Sequence, residues 1–260
     1  MASDPCDVDD PGLHHWAEAA LRHQHGNGIF QTSTMGALLG GVYEGDVSVG
    51  ELLRHGDFGL GTFNRLDGEM LVLDGVCYQV RHDGSATIAE PDELTPFAAV
   101  TWFRADLTID ISAPHDRDAL KARIDEAVAS PNLMVAVRVN GHFSMIRTRT
   151  VTEQSQPGRP FTEATQDQRE VKFAAVEGTL VGFRMPEFQQ GISVAGYHSH
   201  FIDTDHRHGG HTLDYQLLRG TVEIGVQSDL HLSLQRTPQF LDADLNPTDL
   251  DSQIRQTEGG

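Results

Sequence analysis

Three histidines between residues 198 and 211 have the spacing of a metal site. His198 and His200 stand two apart in a stretch that reads as a β-strand, so both imidazoles leave one face, roughly 6–7 Å apart at Cα. Residues 203–210 carry no apolar side chain and end in Gly-Gly, which favours a chain reversal. If the flanking strands form a hairpin, His211 lies across from about residue 202, diagonal to His200, and the three imidazoles converge.

A shell of three neutral imidazoles suits Zn²⁺ best, with Fe²⁺, Mn²⁺ or Co²⁺ as alternatives. Such a shell leaves coordination positions open for a substrate, which is the catalytic pattern and differs from a closed structural site. His206 and His208 lie in the loop itself. We expect both to be exposed loop residues, although a role beside the metal ligands, or in place of one, stays open.

Other common catalytic groups are scarce in this chain. Lys121 and Lys172 are the only lysines, so Schiff-base chemistry would have to use one of them. Cys6 and Cys77 are the only cysteines, which make neither a disulfide framework nor a thiolate site. The sequence has no Walker loop and no dinucleotide-binding fingerprint.

Charge and composition narrow the possible partners. The formal net charge of −19 argues against nucleic acid and against anionic membrane surfaces. The N-terminus is acidic where a signal peptide would be basic and then apolar. No apolar run approaches the roughly 20 residues that span a bilayer. We therefore expect a soluble, cytoplasmic protein, and a small anionic substrate would need a local cationic pocket.

The periodicity predicts an α/β (α+β) chain of two domains that carry these residues. Residues 1–28 are expected to be a flexible arm with one short helix around residues 13–23. Residues 29–160 read as a mixed α/β domain, and the polar, proline-containing segment 152–170 as its boundary. Residues 161–260 read as an antiparallel sheet or barrel, a meander with turns at Arg219-Gly220 and Ser228-Asp229, followed by an acidic tail.

Within the first domain, local signals predict three features around possible site residues. A hairpin turns at Asp74-Gly75, which puts Glu69 at the mouth of a strand. A helix over residues 116–129 carries apolar residues at i, i+4 and i+8. A strand over residues 141–151 places Arg147 and Arg149 on one face. These two are equally well read as solvated arginines or as partners for a carboxylate.

Four motifs in this order resemble the α-acetolactate decarboxylase family. They are the glycine-rich stretch 59–70, which ends in Leu-Asp-Gly-Glu-Met, the segments Thr95–Ala98 and Thr148–Val151, and the histidine hairpin 196–214. The resemblance runs from about Ile29 to Glu258, although no single motif is specific. It implies two β-sheet domains, a homodimer, and the conversion of 2-acetolactate to acetoin and CO₂.

The resemblance also implies roles for particular residues. It places a zinc ion between His198, His200 and His211, with Thr62 near the metal. Its further site residues correspond to Glu69, to Arg149 and to a glutamate of the C-terminal tail. Glu258 matches the last of these by its distance from the end of the chain. The tail, acidic and polar by composition, is therefore expected to fold back over the histidine hairpin.

The chemistry of the implied reaction fits these residue types. Loss of CO₂ from a β-keto acid leaves electrons in an enediolate, and a metal acting as a Lewis acid stabilises that charge. Arg149 can orient the carboxylate so that the breaking bond aligns with the carbonyl π-system. Glu69 or Glu258 can deliver the proton or ligate the metal, and the sequence does not divide these roles.

Two other readings compete with the decarboxylase. Cupin-type dioxygenases and isomerases also carry His-x-His on a barrel strand, usually with a glutamate a few residues later. Here residues 201–204 offer only Asp203. The second alternative is a non-catalytic domain that binds a small acid, in which the histidines are structural.

Overall fold

The computed structural model describes residues 28–128, 130–154, 161, 168–245 and 250–258, without the side chains of residues 251, 255, 256 and 258. The expected arm and its helix over residues 13–23 lie outside this part, except for Gly28, which begins the first strand. The fold is α+β and mostly sheet, as predicted. No helix among the described residues has the length and apolar character needed to cross a membrane.

The described strands and helices are numbered in chain order. The strands are β1 (Gly28–Thr32), β2 (Val47–Ser48), β3 (Phe58–Thr62), β4 (Glu69–Leu73), β5 (Val76–Val80), β6 (Ala86–Ile88), β7 (Leu94–Thr95), β8 (Phe97–Thr101), β9 (Leu107–Ile111), β10 (His115–Asp116), β11 (Met134–Thr150), β12 (Arg169–Met185), β13 (Gly196–Asp203), β14 (Gly209–Gln227) and β15 (Asp229–Ser233). The helices are α1 (Met35–Leu39), α2 (Val49–Leu52), α3 (Arg117–Val128), α4 (Pro238–Asp242) and α5 (Leu250–Glu258).

The first large sheet has seven strands in the order β15-β1-β8-β3-β4-β5-β6. The β4–β5 hairpin turns at Asp74-Gly75 as predicted, with Leu73 paired to Val76. All neighbours are antiparallel except β1 and β15, which run parallel with Gly28 opposite Asp229. The edge strand of this sheet therefore comes from the far end of the chain.

The second large sheet has the order β10-β14-β11-β12-β13, with β9 also paired to β14. All of its pairings are antiparallel. Strand β13 pairs with β12 on one side and with the start of β14 on the other, while β14 also pairs with β11. The circuit β11–β12–β13–β14 closes on itself at this end, which gives the sheet its barrel-like corner.

Strand β14 differs from the predicted meander. It continues through Arg219 and Gly220, so the expected turn there is wrong. Gly220 pairs with Gly141 of β11, and a Cβ at Gly220 would lie 2.3 Å from the carbonyl oxygen of Asn140. Glycine at this position permits a close approach of two strand backbones and does not mark a reversal. After Ser228 the chain moves to the first sheet as β15.

The second sheet draws on both sides of the predicted boundary near residue 160. Strands β9, β10 and β11 precede that boundary and still belong to this sheet, and β15 returns to the first. The division into domains at residue 160 stays a prediction.

Helix α3 covers the second sheet and confirms the helix predicted over residues 116–129. Asp116 caps its start, since its Oδ1 accepts a hydrogen bond of 2.8 Å from the amide of Ala119. Leu120, Ile124 and Val128 are buried in one core cluster with side chains of β11, β12 and β14. Their spacing puts one apolar stripe of the helix against the sheet.

Helices α1 and α5 form a separate apolar cluster above the histidine hairpin. Thr34 caps α1, and its Oγ1 accepts from the amide of Ala37 at 3.1 Å. Met35 and Leu38 of α1 pack in one buried cluster with Leu250 and Ile254 of α5. The polar tail is therefore anchored by two apolar side chains one helical turn apart.

Candidate active site

The three histidines meet where β13 and β14 pair. His200 lies directly opposite His211, whereas the sequence analysis placed His211 opposite about residue 202. The difference arises because β13 extends to Asp203 and β14 already starts at Gly209. His198, His200 and His211 each offer one ligand nitrogen, and these atoms all lie within 4.8 Å of one another. The predicted convergence of three imidazoles is present.

The tautomer and charge of these histidines suit a cation. The Nδ1 of His200 donates to the carbonyl oxygen of Met70 at 2.8 Å, since a carbonyl can only accept. The lone pair of His200 is therefore on Nε2. Burial, followed by the charge of Arg149, lowers the pKa of His198 to about 3 and lowers that of His211 well below its usual value. His198 and His211 are therefore neutral at pH 7, and the free Nε2 of His200 completes a set of nitrogen lone pairs that a divalent metal can use.

Arg149 stands in the same row of the sheet as two of the histidines. On β11 it pairs with His211, which in turn pairs with His200. Its side chain is buried, and Nη1 donates to Oε1 of Gln168 at 3.4 Å. Gly210 permits this packing, because its φ is +146° and a Cβ there would lie 2.9 Å from the carbonyl oxygen of Arg149.

Arg147 does not share the burial of Arg149. Both pair with β12 in an unbroken register, which keeps them on one face, and the irregularity between Arg147 and Thr148 lies in the pairing with β14. Arg147 is exposed enough to form a solvent-facing ion pair with Glu170 at 3.2 Å. Of the two readings left open by the sequence, the solvated one fits Arg147, and Arg149 is the arginine inside the pocket.

Glu69 and Thr62 reach the histidines from the first sheet. They pair with each other at the ends of β4 and β3. Both are buried, and Oε2 of Glu69 lies 3.6 Å from Nε2 of His200. The hydroxyl of Thr62 donates to the carbonyl oxygen of Gly68 at 2.8 Å, which holds the turn that precedes Glu69. The pocket is thus built at the junction of the two sheets.

The C-terminal helix ends at the same arginine. The Nη2 of Arg149 donates to the carbonyl oxygen of Thr257, in the last turn of α5. Glu258 is the final residue of α5, and its side chain lies outside the described part of the structure. The tail reaches the site through the backbone of Thr257, and the role implied for Glu258 stays a prediction.

The pocket also has an apolar side, which contains none of the predicted site residues. Met35, Leu38, Phe97 and Phe161 line it together with the residues above. The apolar stretch that starts at Met35 was visible, but nothing local indicated which surface it covers. Phe161 stands in a segment read as polar linker, and one buried phenylalanine there was the signal that could have located it.

His206 and His208 are exposed, as expected for loop residues. His206 Nδ1 lies 2.9 Å from the hydroxyl of Tyr78, and His208 Nδ1 lies 3.0 Å from Oδ2 of Asp203. Asp203 also accepts from the amide of Arg207 at 2.7 Å. The acidic side chain that follows His-x-His therefore shapes the loop.

The fold and the pocket define an α+β protein built on two large sheets, with a three-histidine site of the kind that enzymes use for catalytic metals. A family profile, alpha-acetolactate decarboxylase, matches residues 29–247. The chain belongs to the alpha-acetolactate decarboxylase family.

Individual relatives agree with the family match. The alpha-acetolactate decarboxylase of Klebsiella aerogenes is 49% identical over 230 residues, 88% of each chain. That of Bacillus subtilis strain 168 is 42% identical over 231 residues, 89% of this chain and 91% of its own. The crystal structure of the alpha-acetolactate decarboxylase from Bacillus subtilis strain 168 superimposes with a TM-score of 0.88, covering 90% of this chain and all of that one.

Proposed function

We propose that this chain decarboxylates 2-acetolactate to acetoin and CO₂ in a metal-dependent reaction. The observation that carries the proposal is the convergence of three imidazoles, Glu69 and Arg149 on one pocket. A chain of this family with that pocket has the donors for a metal, a cation for the substrate carboxylate and a carboxyl group for proton transfer.

His198, His200 and His211 are the residues that would hold the metal, and Zn²⁺ is the ion that three imidazoles suit best. When bound, it supplies a Lewis acid for the charge that develops on the ketone oxygen. The fit rests on the ligand nitrogens lying within 4.8 Å of one another and on the lowered pKa of His198 and His211.

Arg149 binds and orients the carboxylate that leaves as CO₂. Its buried guanidinium is already held by the carbonyl oxygen of Thr257 and by Gln168, so little conformational entropy is lost when a substrate binds. Orientation matters because the C–C bond must align with the neighbouring carbonyl π-system to break. The apolar wall of Met35, Leu38 and Phe97 excludes water from this bond.

A proton must then reach one face of the enediolate. Glu69 is placed for this transfer, because its carboxyl group lies in the pocket, 3.6 Å from His200. The same distance is compatible with a carboxylate that contacts the metal directly. Glu258 stays a second candidate for either role, on the strength of its position at the end of α5.

One experiment tests the proposal with a matched control. Purified wild-type protein is given racemic acetolactate, and acetoin and bound metal are measured on the same sample before and after chelator treatment. His200→Ala should lose metal and activity together, whereas His208→Ala, which changes an exposed loop histidine, should keep both. A metal-replete wild-type protein that forms no acetoin would overturn the assignment.

The cupin alternative predicts oxygen consumption with bound iron. It is disfavoured because Asp203, the only acidic residue near its expected place, bonds the amides of Arg207 and His208. The homodimer and the cytoplasmic location remain predictions from the resemblance and the charge. Light scattering on the purified protein and cell fractionation test them.

A further inference from the structure

A second cavity lies behind the strands that carry the histidines. Because successive residues of a strand face opposite sides, Ser199 and Thr212 point away from the face that holds His200 and His211. Both residues line a cavity between the second sheet and helix α3. The cavity also touches His198, so β13 separates it from the active-site pocket.

The cavity is lined by positive charge, whereas the molecule as a whole has a negative net charge. Arg117 and Lys121 line it, and none of the described residues that line it is acidic, in a chain with a net charge of −19. The two cations are four residues apart on α3 and therefore share one face. Asp118 and Asp125 on the same helix offset their repulsion only in part, since burial and Arg117 lower the pKa of Lys121.

The positions of the two cations are fixed by other groups. Nη1 of Arg117 donates to the carbonyl oxygen of Leu213 at 2.9 Å. Nζ of Lys121 lies 5.6 Å from the centre of the Tyr197 ring. An anion in the cavity would therefore meet a preorganised pair of positive charges and would relieve their mutual repulsion.

Thr212 supplies an independent indication of a ligand. Its side chain is 5% exposed, and its buried Oγ1 makes no hydrogen bond within the described part of the chain. Buried hydroxyls are nearly always hydrogen-bonded, so such an atom calls for a partner. Tyr215 lines the same cavity, and burial raises the pKa of its phenol, which keeps the hydroxyl as a donor. The opposite wall is apolar, with Ile124, Val137 and Leu180.

We propose that this cavity binds a small aliphatic monocarboxylate. The carboxylate lies between Lys121, Arg117 and the hydroxyl of Thr212, and the short alkyl chain packs on Ile124, Val137 and Leu180. Charge-assisted hydrogen bonds supply the affinity, and the apolar wall selects an organic acid over an inorganic anion. This site needs neither the metal nor the decarboxylation reaction.

The lysine content of the chain provides a direct measurement. Lys121 and Lys172 are the only lysines, and Lys172 is exposed on β12, so it serves as an internal control. The protein is acetylated with a limiting reagent, and the two lysines are followed by mass spectrometry. Saturating isobutyrate should slow acetylation of Lys121 at least fivefold and leave Lys172 unchanged. The neutral isostere isobutyramide should protect neither.

Calorimetry on variants completes the test. Lys121→Met should weaken isobutyrate binding at least tenfold, and Thr212→Val several-fold, while Lys121→Met without ligand keeps wild-type acetoin formation. Acetate should bind more weakly than isobutyrate because it lacks the alkyl contact.

Three results would overturn the proposal. They are equal protection of Lys121 by isobutyramide, unchanged isobutyrate binding in Lys121→Met, and loss of that binding in Arg149→Ala, which would place the carboxylate in the active-site pocket. Equal affinity for acetate and isobutyrate would contradict the proposed packing of the alkyl chain on the apolar wall.

Discussion

Arg147 and Arg149 show how one strand carries two arginines of opposite character. Alternation puts them on one face, and their unbroken pairing with β12 keeps them there, but Arg149 also pairs with His211 at the histidine hairpin. Arg149 is a buried cation beside the three histidines, and Arg147 lies in a surface ion pair. A surface pair of this kind contributes about 0–1 kcal/mol, so the two residues should respond very differently to the same substitution.

We expect Arg149→Ala to lower kcat/KM for acetolactate by about 100-fold or more, because charged hydrogen bonds are worth roughly 1.5–3 kcal/mol each. Metal content should be unchanged, since Arg149 is not among the candidate ligands. Arg147→Ala is the control and should stay within about twofold of wild type. Steady-state kinetics and metal analysis on both variants test this prediction. An equal loss of kcat/KM in both variants would contradict the role given to Arg149.

Cys77 is a buried thiol of the first sheet with no part in the chemistry. Its side chain is 2% exposed, and burial raises the pKa of the thiol to about 12. In a Cys6→Ser background we expect no reaction with Ellman's reagent at pH 8 until denaturant is added. The unfolded thiol ionises near pH 9, so its contribution to stability is lost as the pH rises from about 9 towards 12. A native thiol that reacts within minutes would contradict this burial.

Helix α5 connects the C-terminal segment to the catalytic pocket. Its apolar residues pack against α1, and its last turn bonds Arg149. The helix has nine residues, and isolated helices shorter than about 12–15 residues are marginal in water. Its order therefore depends on the packing of a few apolar side chains, chiefly Leu250 and Ile254.

Ile254→Ala should therefore uncouple α5 from the site. A buried isoleucine replaced by alanine costs about 2–5 kcal/mol, which is enough to undock a short helix without unfolding the sheets. We expect a large fall in kcat/KM with a small change in Tm, measured by kinetics and calorimetry. Leu241→Ala, at a residue 71% exposed on α4, is the control and should change neither. A parallel loss of Tm and activity in Ile254→Ala would instead indicate one cooperative unit.

Local sequence signals predicted the elements that depend on local contacts. The helix over residues 116–129 and the hairpin at Asp74-Gly75 were read from periodicity and turn chemistry. Gly220 was misread, because a glycine that lets two strands approach looks the same in sequence as one that makes a turn. The pairing of β1 with β15 joins residues that are about 200 positions apart in the chain. No local sequence pattern predicts such a pairing.

The residues of the candidate site also differ in how well local sequence predicts them. The two-residue spacing of His198 and His200 and the nearby hairpin made the histidine cluster predictable from sequence. Glu69, Arg149 and Thr62 were located by resemblance to a family, since they are far from the histidines along the chain. The carbonyl of Thr257 carried no recognisable signal, because a backbone oxygen has no sequence signature. Phe161 was recognisable only as one phenylalanine in a polar segment, and a single apolar residue does not indicate which residues it packs against.

For the molecule as a whole, the neutral histidines link stability to pH. The pKa of His198 falls from 6.5 in the unfolded chain to about 3 in the folded one, and that of His211 falls in the same direction. Below pH 6.5 the unfolded state therefore binds more protons. The stability that these groups contribute is complete above pH 6.5 and is lost as the pH falls towards 3.

We expect the free energy of unfolding of the metal-free protein to fall between pH 7.5 and pH 5, measured by urea denaturation. In a His198→Gln, His211→Gln variant this fall should be shallower, because the groups that take up protons on unfolding are gone. His208→Gln, at an exposed loop position, should follow the wild type. An identical pH dependence in all three proteins would contradict the assignment of neutral, buried imidazoles.

The parallel pairing of β1 with β15 has a consequence for the order in which the protein can be made. Gly28 at the start of β1 is synthesised some 200 residues before its partner Asp229. The first sheet therefore keeps one open edge during most of translation, a position that invites pairing with other chains. Helix α5 is made later still, so the hydrogen bond from Arg149 to Thr257 forms only after residue 257 leaves the ribosome. A nascent chain stalled before residue 229 would expose a strand edge and lack a finished catalytic pocket.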